Sequence, residues 1–164
     1  MRFAPFRRLR SGSTAVVLLM GAALAPATLA EVERINVEEL GRLPAFSHAT
    51  VASGQLVFVA GTLGTQPRSS NLVEGGVGAQ TRQALGNIER ILTEAGTTKG
   101  EVLQCTVYLT DMTKFAEMNE AWIPFFQGRP PARATIGVAA LALGAAVEIE
   151  CVAQRTIAPA AASR

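Results

Sequence analysis

Hydrophobic and polar residues repeat along this chain with two different periods, which predict a mixture of helices and strands. From residue 77 to residue 95, apolar or small residues recur every three or four positions, as in a helix with one buried face. Residues 101–110 and 145–156 instead alternate every second position, which is typical of strands. The predicted order is strands at 32–37, 49–53 and 56–60, a helix at 77–95, a strand at 101–110, a helix capped by Asp111 or Thr113, and strands at 133–139 and 145–156.

This order predicts an α+β fold with six strands in one mixed sheet and both helices on one of its faces. The small turn Gly54-Gln55 predicts a hairpin between the second and third strands. The uncovered face would carry Tyr108, Glu148 and Glu150, which are too polar for a core. We therefore expect another subunit to cover that face, in an assembly with closed rotational symmetry.

The first thirty residues have the features of an export signal. Four arginines and no acidic residue precede an apolar run at 15–25, and Ala30 ends a small-residue stretch of the kind that signal peptidases cleave. The run is short for a membrane span, although an uncleaved anchor is the alternative. We expect cleavage after Ala30, no stable membrane insertion afterwards, a periplasmic or secreted domain at 31–156, and a disordered tail at 157–164. The pair Arg7-Arg8 leaves both the general and the twin-arginine export routes open.

Loss of this leader changes the charge of the chain. Four of the 15 Lys and Arg residues lie in it, so 11 remain against 13 acidic residues, and the formal charge changes from +2 to −2. Aromatic residues are sparse and no basic stripe is present. We therefore predict no nucleic-acid partner.

The two cysteines, Cys105 and Cys151, each lie in an apolar, strand-like run. Their separation and the single histidine argue against a zinc site, and we predict no metal. Two buried thiols are the expected state. A disulfide would require an oxidising compartment and neighbouring strands in a suitable register.

The stretch from Gly128 to Val138 contains the residue that most strongly indicates a binding site. Pro130 and Pro131 stiffen the chain, and Arg133 follows them at the start of an apolar, β-branched run. A guanidinium group is always charged near neutral pH, and its geometry matches a carboxylate. We predict that Arg133 binds the carboxylate of a small organic acid. The alternative is an arginine that pairs with a neighbouring glutamate or caps the strand.

Seven segments, taken in order, resemble the reactive intermediate deaminase family (RidA/YjgF), although no single segment is decisive. They are AFSHA (45–49), LVFVAG (56–61), TRQALGNI (81–88), VYLTDM (107–112), MNEAW (118–122), PARAT (131–135) and VEIE (147–150). The resemblance implies a chorismate-mutase-like fold and a homotrimer with sites between subunits. It also implies hydrolysis of 2-enamine or 2-imino acids to 2-keto acids and ammonia, without a cofactor.

The same resemblance implies roles for individual residues. Arg133 would hold the substrate carboxylate, and Glu148 would position a water and exchange protons with it. Gly61 and Thr135 would line the pocket, and Asn119 would lie near the cleft. Two of these residues have simpler alternatives: Glu148 as an exposed or ion-paired carboxylate, and Asn119 as a helix-surface amide.

Two residues depart from the best-studied deaminases, which leaves the substrate open. Phe46 stands where those proteins have tyrosine, and Thr135 where they have cysteine. His48 is a further substrate-binding candidate, because it could supply the polar group that Phe46 lacks; otherwise it is an incidental loop residue. The alternative function is non-catalytic binding of small 2-keto or carboxylic acids. A ribonuclease or chaperone role is also reported for some relatives, but the slightly acidic mature chain weighs against the ribonuclease.

Overall fold

A computed structural model describes residues 31–156, and within them two α-helices cover one face of a four-stranded sheet. The predicted export signal and the predicted tail lie outside the described residues. The predicted α+β class is confirmed. The elements are β1 (Glu33–Ile35), β2 (Ala49–Val51), β3 (Gln55–Leu63), α1 (Gly76–Glu94), β4 (Val102–Leu109), α2 (Phe115–Phe126), β5 (Ala132–Gly137) and β6 (Val147–Arg155).

The six predicted strands divide into two sheets, which corrects the single six-stranded sheet expected from the sequence. The larger sheet has the order β3-β6-β4-β5, with β6 antiparallel to β3 and β4, and β5 parallel to β4. A separate antiparallel pair joins β1 to β2. The predicted hairpin between the second and third strands is wrong, because β2 forms its ladder with β1 and β3 forms its ladder with β6. The turn residue Gly54 donates its N–H to Gln154 Oε1 (2.9 Å) rather than closing a hairpin.

The core lies between the helices and the sheet, where the sequence pattern placed it. Helix α1 buries Leu85, Ile88 and Leu92 on one stripe, and Trp122 of α2 is fully buried beside them. Gly96 follows the end of α1 and has φ +73°, in the left-handed region. Glycine is suited to this position because it has no side chain and therefore carries little strain there. The alternating residues of β4 and β6 complete this core.

The ends of α2 follow the sequence signals. Asp111 Oδ1 accepts a hydrogen bond from the Thr113 N–H (2.9 Å) and caps the single 3-10 turn that leads into the helix. Pro124 lies in the last turn, and the helix ends two residues later at Phe126.

Cys105 and Cys151 form a disulfide, so the expectation of two free thiols is wrong. The two residues are direct partners in the β4–β6 ladder, with their Cα atoms 4.1 Å apart. Both side chains face the core and are buried. The alternation of residues in each strand places its cysteine on the apolar face. The register that brings them together depends on which strands are neighbours, and local alternation does not determine that.

The face of the sheet that the helices leave uncovered is partly polar and partly apolar. On it, the Tyr108 hydroxyl donates a hydrogen bond to Glu150 Oε1 (2.8 Å), and this bond raises the pKa of the phenol. Leu56 (52% exposed) and Phe58 (76% exposed) of β3 are large apolar residues, and Ile136 of β5 is also exposed. Large exposed apolar side chains are typical of surfaces that meet another protein.

Candidate functional site

The segment before Arg133 is held firmly by a neighbouring loop. Ser47 donates its backbone N–H to Pro131 O (2.9 Å) and its hydroxyl to Pro130 O (2.8 Å), and it forms a parallel bridge with Ala132. The two prolines add their own stiffness. Arg133 therefore enters β5 from a rigid approach.

The Arg133 guanidinium is half-buried among neutral groups. Its Nη1 donates to Asn119 Oδ1 at 2.7 Å, and its Cζ lies 5.0 Å from the ring centre of Trp122 and 5.6 Å from that of Phe115. Among residues 31–156, no carboxylate lies within ion-pair distance of it. Desolvation lowers the pKa of Arg133 to about 10, which still leaves it charged near neutral pH. A cation that is buried without its own anion forms a ready site for a ligand anion.

Thr135 lies two residues further along β5, on the same face as Arg133. Its Oγ1 is buried and, among the described residues, lacks a hydrogen-bond partner. A buried hydroxyl without a partner is rare, and a ligand or an ordered water is the usual partner in such a case. Arg133 and Thr135 thus present a positive charge and an unused hydroxyl on one side of β5.

Phe46 and His48 flank the residue that pairs with the start of β5. Because Ser47 is paired with Ala132, its two neighbours lie on the same side of the strand pair as Arg133. Phe46 packs against the core and meets the imidazole ring edge-on, with the ring centres 5.8 Å apart. His48 Nδ1 accepts a hydrogen bond from the Val37 N–H (3.0 Å), so this nitrogen already has a partner in the segment that follows β1.

Glu148 and Gly61 come together on the other face of the sheet. Glu148 is the ladder partner of Tyr108 on β4 and of Leu63 on β3. A Cβ atom added to Gly61 would lie 1.9 Å from Glu148 Oε1, so the carboxylate occupies the space above the glycine. Only glycine permits this approach at that position without displacing the carboxylate.

The predicted site residues therefore form two clusters on opposite faces of one protomer. The arginine cluster is Arg133, Thr135 and Asn119, with the rings of Trp122 and Phe115. The glutamate cluster is Glu148 and Gly61.

The register shows why the clusters are apart within one chain. Arg133 is level with Cys105 on β4, whereas Glu148 is level with Tyr108, three residues further along and on the opposite face. With strands about 4.8 Å apart and a rise of about 3.3 Å per residue, their Cα atoms are separated by about 14 Å. One protomer does not bring both side chains to one small ligand.

Trp122 and Phe115 are contacts of Arg133 that the sequence did not reveal. Their helical spacing is typical of core residues, and Trp122 is fully buried whereas Phe115 is 37% exposed. Its indole N–H also donates to Ala45 O (2.8 Å), next to Phe46. The available signal was the spacing of Asn119 and Trp122. They are three residues apart on α2, which places both on one side of the helix and so beside the same neighbouring group.

Neither a metal centre nor a membrane span is found within residues 31–156. That part of the chain contains no group of three or more His, Cys, Asp or Glu side chains arranged to bind a metal ion. No helix in the same range has the length and apolar character needed to cross a bilayer.

Comparison with known proteins identifies the family. Residues 37–155 match the family described as endoribonuclease L-PSP. The 2-iminobutanoate/2-iminopropanoate deaminase of Rattus norvegicus is 41% identical over 109 residues, which are 66% of this chain and 79% of that protein.

Two solved structures share the fold. The Rid-family protein YyfB of Yersinia pestis gives a TM-score of 0.71 at 32% identity, over 76% of this chain and 99% of that one. Escherichia coli TdcF with bound serine gives a TM-score of 0.59 at 29% identity, over 78% and 98% of the two chains. The chain belongs to this family, the RidA/YjgF family that its motifs resemble, and that prediction is confirmed.

Proposed function

We propose that this protein hydrolyses reactive 2-imino acids and their enamine forms to 2-keto acids and ammonia. The observation that carries the proposal is the half-buried Arg133 guanidinium, which has no acidic partner among the described residues. The relationship to the rat protein named as an iminobutanoate and iminopropanoate deaminase supports the same reaction. The serine bound to the related TdcF supports a small ligand that carries a carboxylate.

In this proposal the arginine cluster binds the acid. Asn119 fixes one edge of the Arg133 fork through its 2.7 Å hydrogen bond, and the remaining N–H groups are left for the carboxylate. The rings of Trp122 and Phe115 limit how far the guanidinium group can move. The Thr135 hydroxyl, which lacks a partner in the described chain, donates to a carboxylate oxygen.

Glu148 supplies the acid–base chemistry. Water adds to the electrophilic C2 of the iminium as Glu148 accepts one of its protons, and the product is a carbinolamine. Return of that proton to nitrogen makes ammonia the leaving group. The C–N bond then breaks as the C2 oxygen forms the keto group and releases its proton. One water is consumed and one ammonia is released, with no change of oxidation state.

Both clusters act on one substrate only if Glu148 comes from a neighbouring copy, so the proposal includes an assembly. We expect a homotrimer in which the arginine cluster of one protomer faces the glutamate cluster of the next. Exposed Leu56 and Phe58, on the same uncovered face of the sheet as Glu148, support an interface on that face. The disulfide supports the proposed periplasmic or secreted location, because such bonds persist in oxidising compartments.

The proposal is tested with imines that an amino-acid oxidase generates in the assay. The decay of the imines is followed by trapping them with semicarbazide. Wild-type protein should accelerate the decay, and Arg133→Ala should reduce kcat/KM about 100-fold, because a paired, charge-assisted contact is lost. Arg133→Lys should recover part of the loss, and Arg82→Ala, on the exposed side of α1, is the matched control.

Three results would contradict the deaminase proposal. The first is an equal decay rate with and without protein. The second is calorimetric binding of 2-keto acids without imine turnover, which would identify a non-catalytic binding protein. The third is RNA cleavage that the Arg133→Ala change abolishes, which would favour the activity in the family's description.

A further inference from the structure

A groove of about 930 Å³ lies at the free edge of β3, between the loop that follows this strand and helix α1. Gly61 is at one end of its lining, and Arg68 and Arg90 contribute the charges. Neither arginine has a role in the function proposed above.

The walls of the groove are tied together by one side chain. Asn87 of α1 donates to Leu63 O (3.2 Å) and to Thr65 O (2.9 Å), which fixes the base of the loop. Its Oδ1 accepts from Arg90 Nη1 (2.9 Å) and from Gln83 Nε2 (2.9 Å). The position of Arg90 is therefore fixed relative to the loop that carries Arg68.

The loop itself is a closed turn. Gln66 and Asn71 are joined by a backbone hydrogen bond of 2.9 Å, and the Asn71 N–H also donates to Ser69 Oγ (3.0 Å). Arg68 lies at the tip of this turn with φ +59°, in the left-handed region that residues with a side chain seldom adopt. The turn holds Arg68 at the wall of the groove.

The positive charge of the groove is not neutralised by the described chain. Within residues 31–156, no carboxylate forms an ion pair with Arg68 or Arg90. Glu89, the nearest acid to Arg90 in sequence, pairs with Lys99 at 3.1 Å instead. Two arginines that line one groove without acidic partners favour an anionic ligand group.

The groove and the glutamate cluster share one residue, Gly61. This glycine belongs to the groove lining, and a Cβ atom added to it would lie 1.9 Å from Glu148 Oε1. A substrate whose C2 is positioned at Glu148 can therefore direct its side chain past Gly61 into the groove.

We propose that Arg68 and Arg90 form a subsite for a second carboxylate, so that the preferred substrates are imines of acidic amino acids. The proposal rests on the deaminase function described above and defines its substrate class. The arginine cluster binds the C1 carboxylate, and the groove arginines bind the carboxylate at the end of the side chain.

The experiment compares two imines, 2-iminoglutarate and 2-iminobutanoate, each generated by an amino-acid oxidase. Wild-type protein should show a higher kcat/KM for the dicarboxylic imine. Arg68→Gln and Arg90→Gln should each lower that value about tenfold, through KM, and leave the value for 2-iminobutanoate unchanged. Arg90→Lys should recover part of the loss, and Arg82→Gln on the same helix is the matched control.

Calorimetry with the stable products separates this proposal from the deaminase proposal. 2-Oxoglutarate should bind more tightly than 2-oxobutanoate, and each glutamine variant should remove the difference. If neither imine is hydrolysed, the deaminase proposal fails, while this binding pattern would still support the subsite. Equal binding of the two keto acids, or a preference unchanged in both variants, would overturn the subsite even if 2-iminobutanoate is hydrolysed.

Discussion

The Cys105–Cys151 disulfide should contribute a large part of the stability of this fold. It closes a loop between residues 46 positions apart in the sequence. The chain-entropy relation assigns about 4 kcal/mol to the cross-link of a loop of this length. A domain of this size is stable by roughly 5–15 kcal/mol in total, so breaking the bond should lower the melting temperature by about 15 °C.

The test compares oxidised wild-type protein, wild-type protein refolded in a reductant, and the double variant Cys105→Ala/Cys151→Ala. Reduction isolates the cross-link, because both sulfur atoms stay in the core. The double variant should melt slightly below the reduced wild type, since two buried sulfur atoms are also removed. Its melting temperature should not respond to reductant. All samples need the same concentration, because the proposed assembly would contribute to apparent stability.

The reasoning fails if oxidised and reduced wild-type protein melt at the same temperature. It also fails if protein purified from an oxidising compartment contains two free thiols by mass spectrometry after alkylation. Either result would mean that the register of β4 and β6 does not bring these side chains together as described.

Three further predictions concern the site itself. Thr135→Val should leave the free energy of unfolding unchanged or raise it by about 1 kcal/mol, because a buried hydroxyl without a partner is removed, and it should weaken 2-keto acid binding about tenfold. Denaturant titration measures the first effect and calorimetry measures the second. Weaker folding with unchanged binding would contradict the role of the hydroxyl. Gly61→Ala should fold normally but lower kcat, because the new Cβ displaces the Glu148 carboxylate, the mobile end of a side chain; an unchanged kcat would contradict the proposed position of that carboxylate. Carboxylate binding should be constant from neutral pH to about pH 9 and weaken above about pH 10. The reason is that the protonated guanidinium is the binding form and burial lowers the pKa of Arg133 to about 10. Calorimetry across this range, at constant ionic strength, checks the prediction, and undiminished affinity at pH 11 would contradict it.

Local patterns in the sequence predicted the helices well. The three-and-four spacing at 77–95 corresponds to α1 at Gly76–Glu94, and the alternation at 101–110 corresponds to β4 at Val102–Leu109. These elements were predictable because each buries one stripe or one face, so the pattern reports burial directly.

Pairing between distant strands was not predictable in the same way. The turn at Gly54-Gln55 has the composition of a hairpin, yet β3 pairs with β6, about one hundred residues away. The same limit applied to the disulfide, whose partners meet only through the β4–β6 register. Strand pairing depends on the competition among all edges, which no local window contains.

The candidate site was predicted residue by residue but not in its arrangement. The sequence indicated Arg133 as a ligand arginine, and the structure adds that it has no acidic partner among the described residues. The sequence did not show that Glu148 lies on the opposite face of the sheet from Arg133. The alternation along β4 already places Cys105 and Tyr108 on opposite faces of the sheet. Extending this assignment to Arg133 on β5 and Glu148 on β6 required the registers of the three strands.

The central claim is that Arg133 and Glu148 act on one substrate from two different protomers. The most direct test mixes two inactive variants, Arg133→Ala and Glu148→Gln, by unfolding and refolding them together in equal amounts. In a closed ring, each interface then has a one-in-four chance of combining an intact arginine with an intact glutamate, so about a quarter of wild-type imine hydrolysis should return. Each variant refolded alone should stay inactive, and wild-type protein treated identically gives the reference rate. A mixture that stays as inactive as its components would contradict a site shared between protomers.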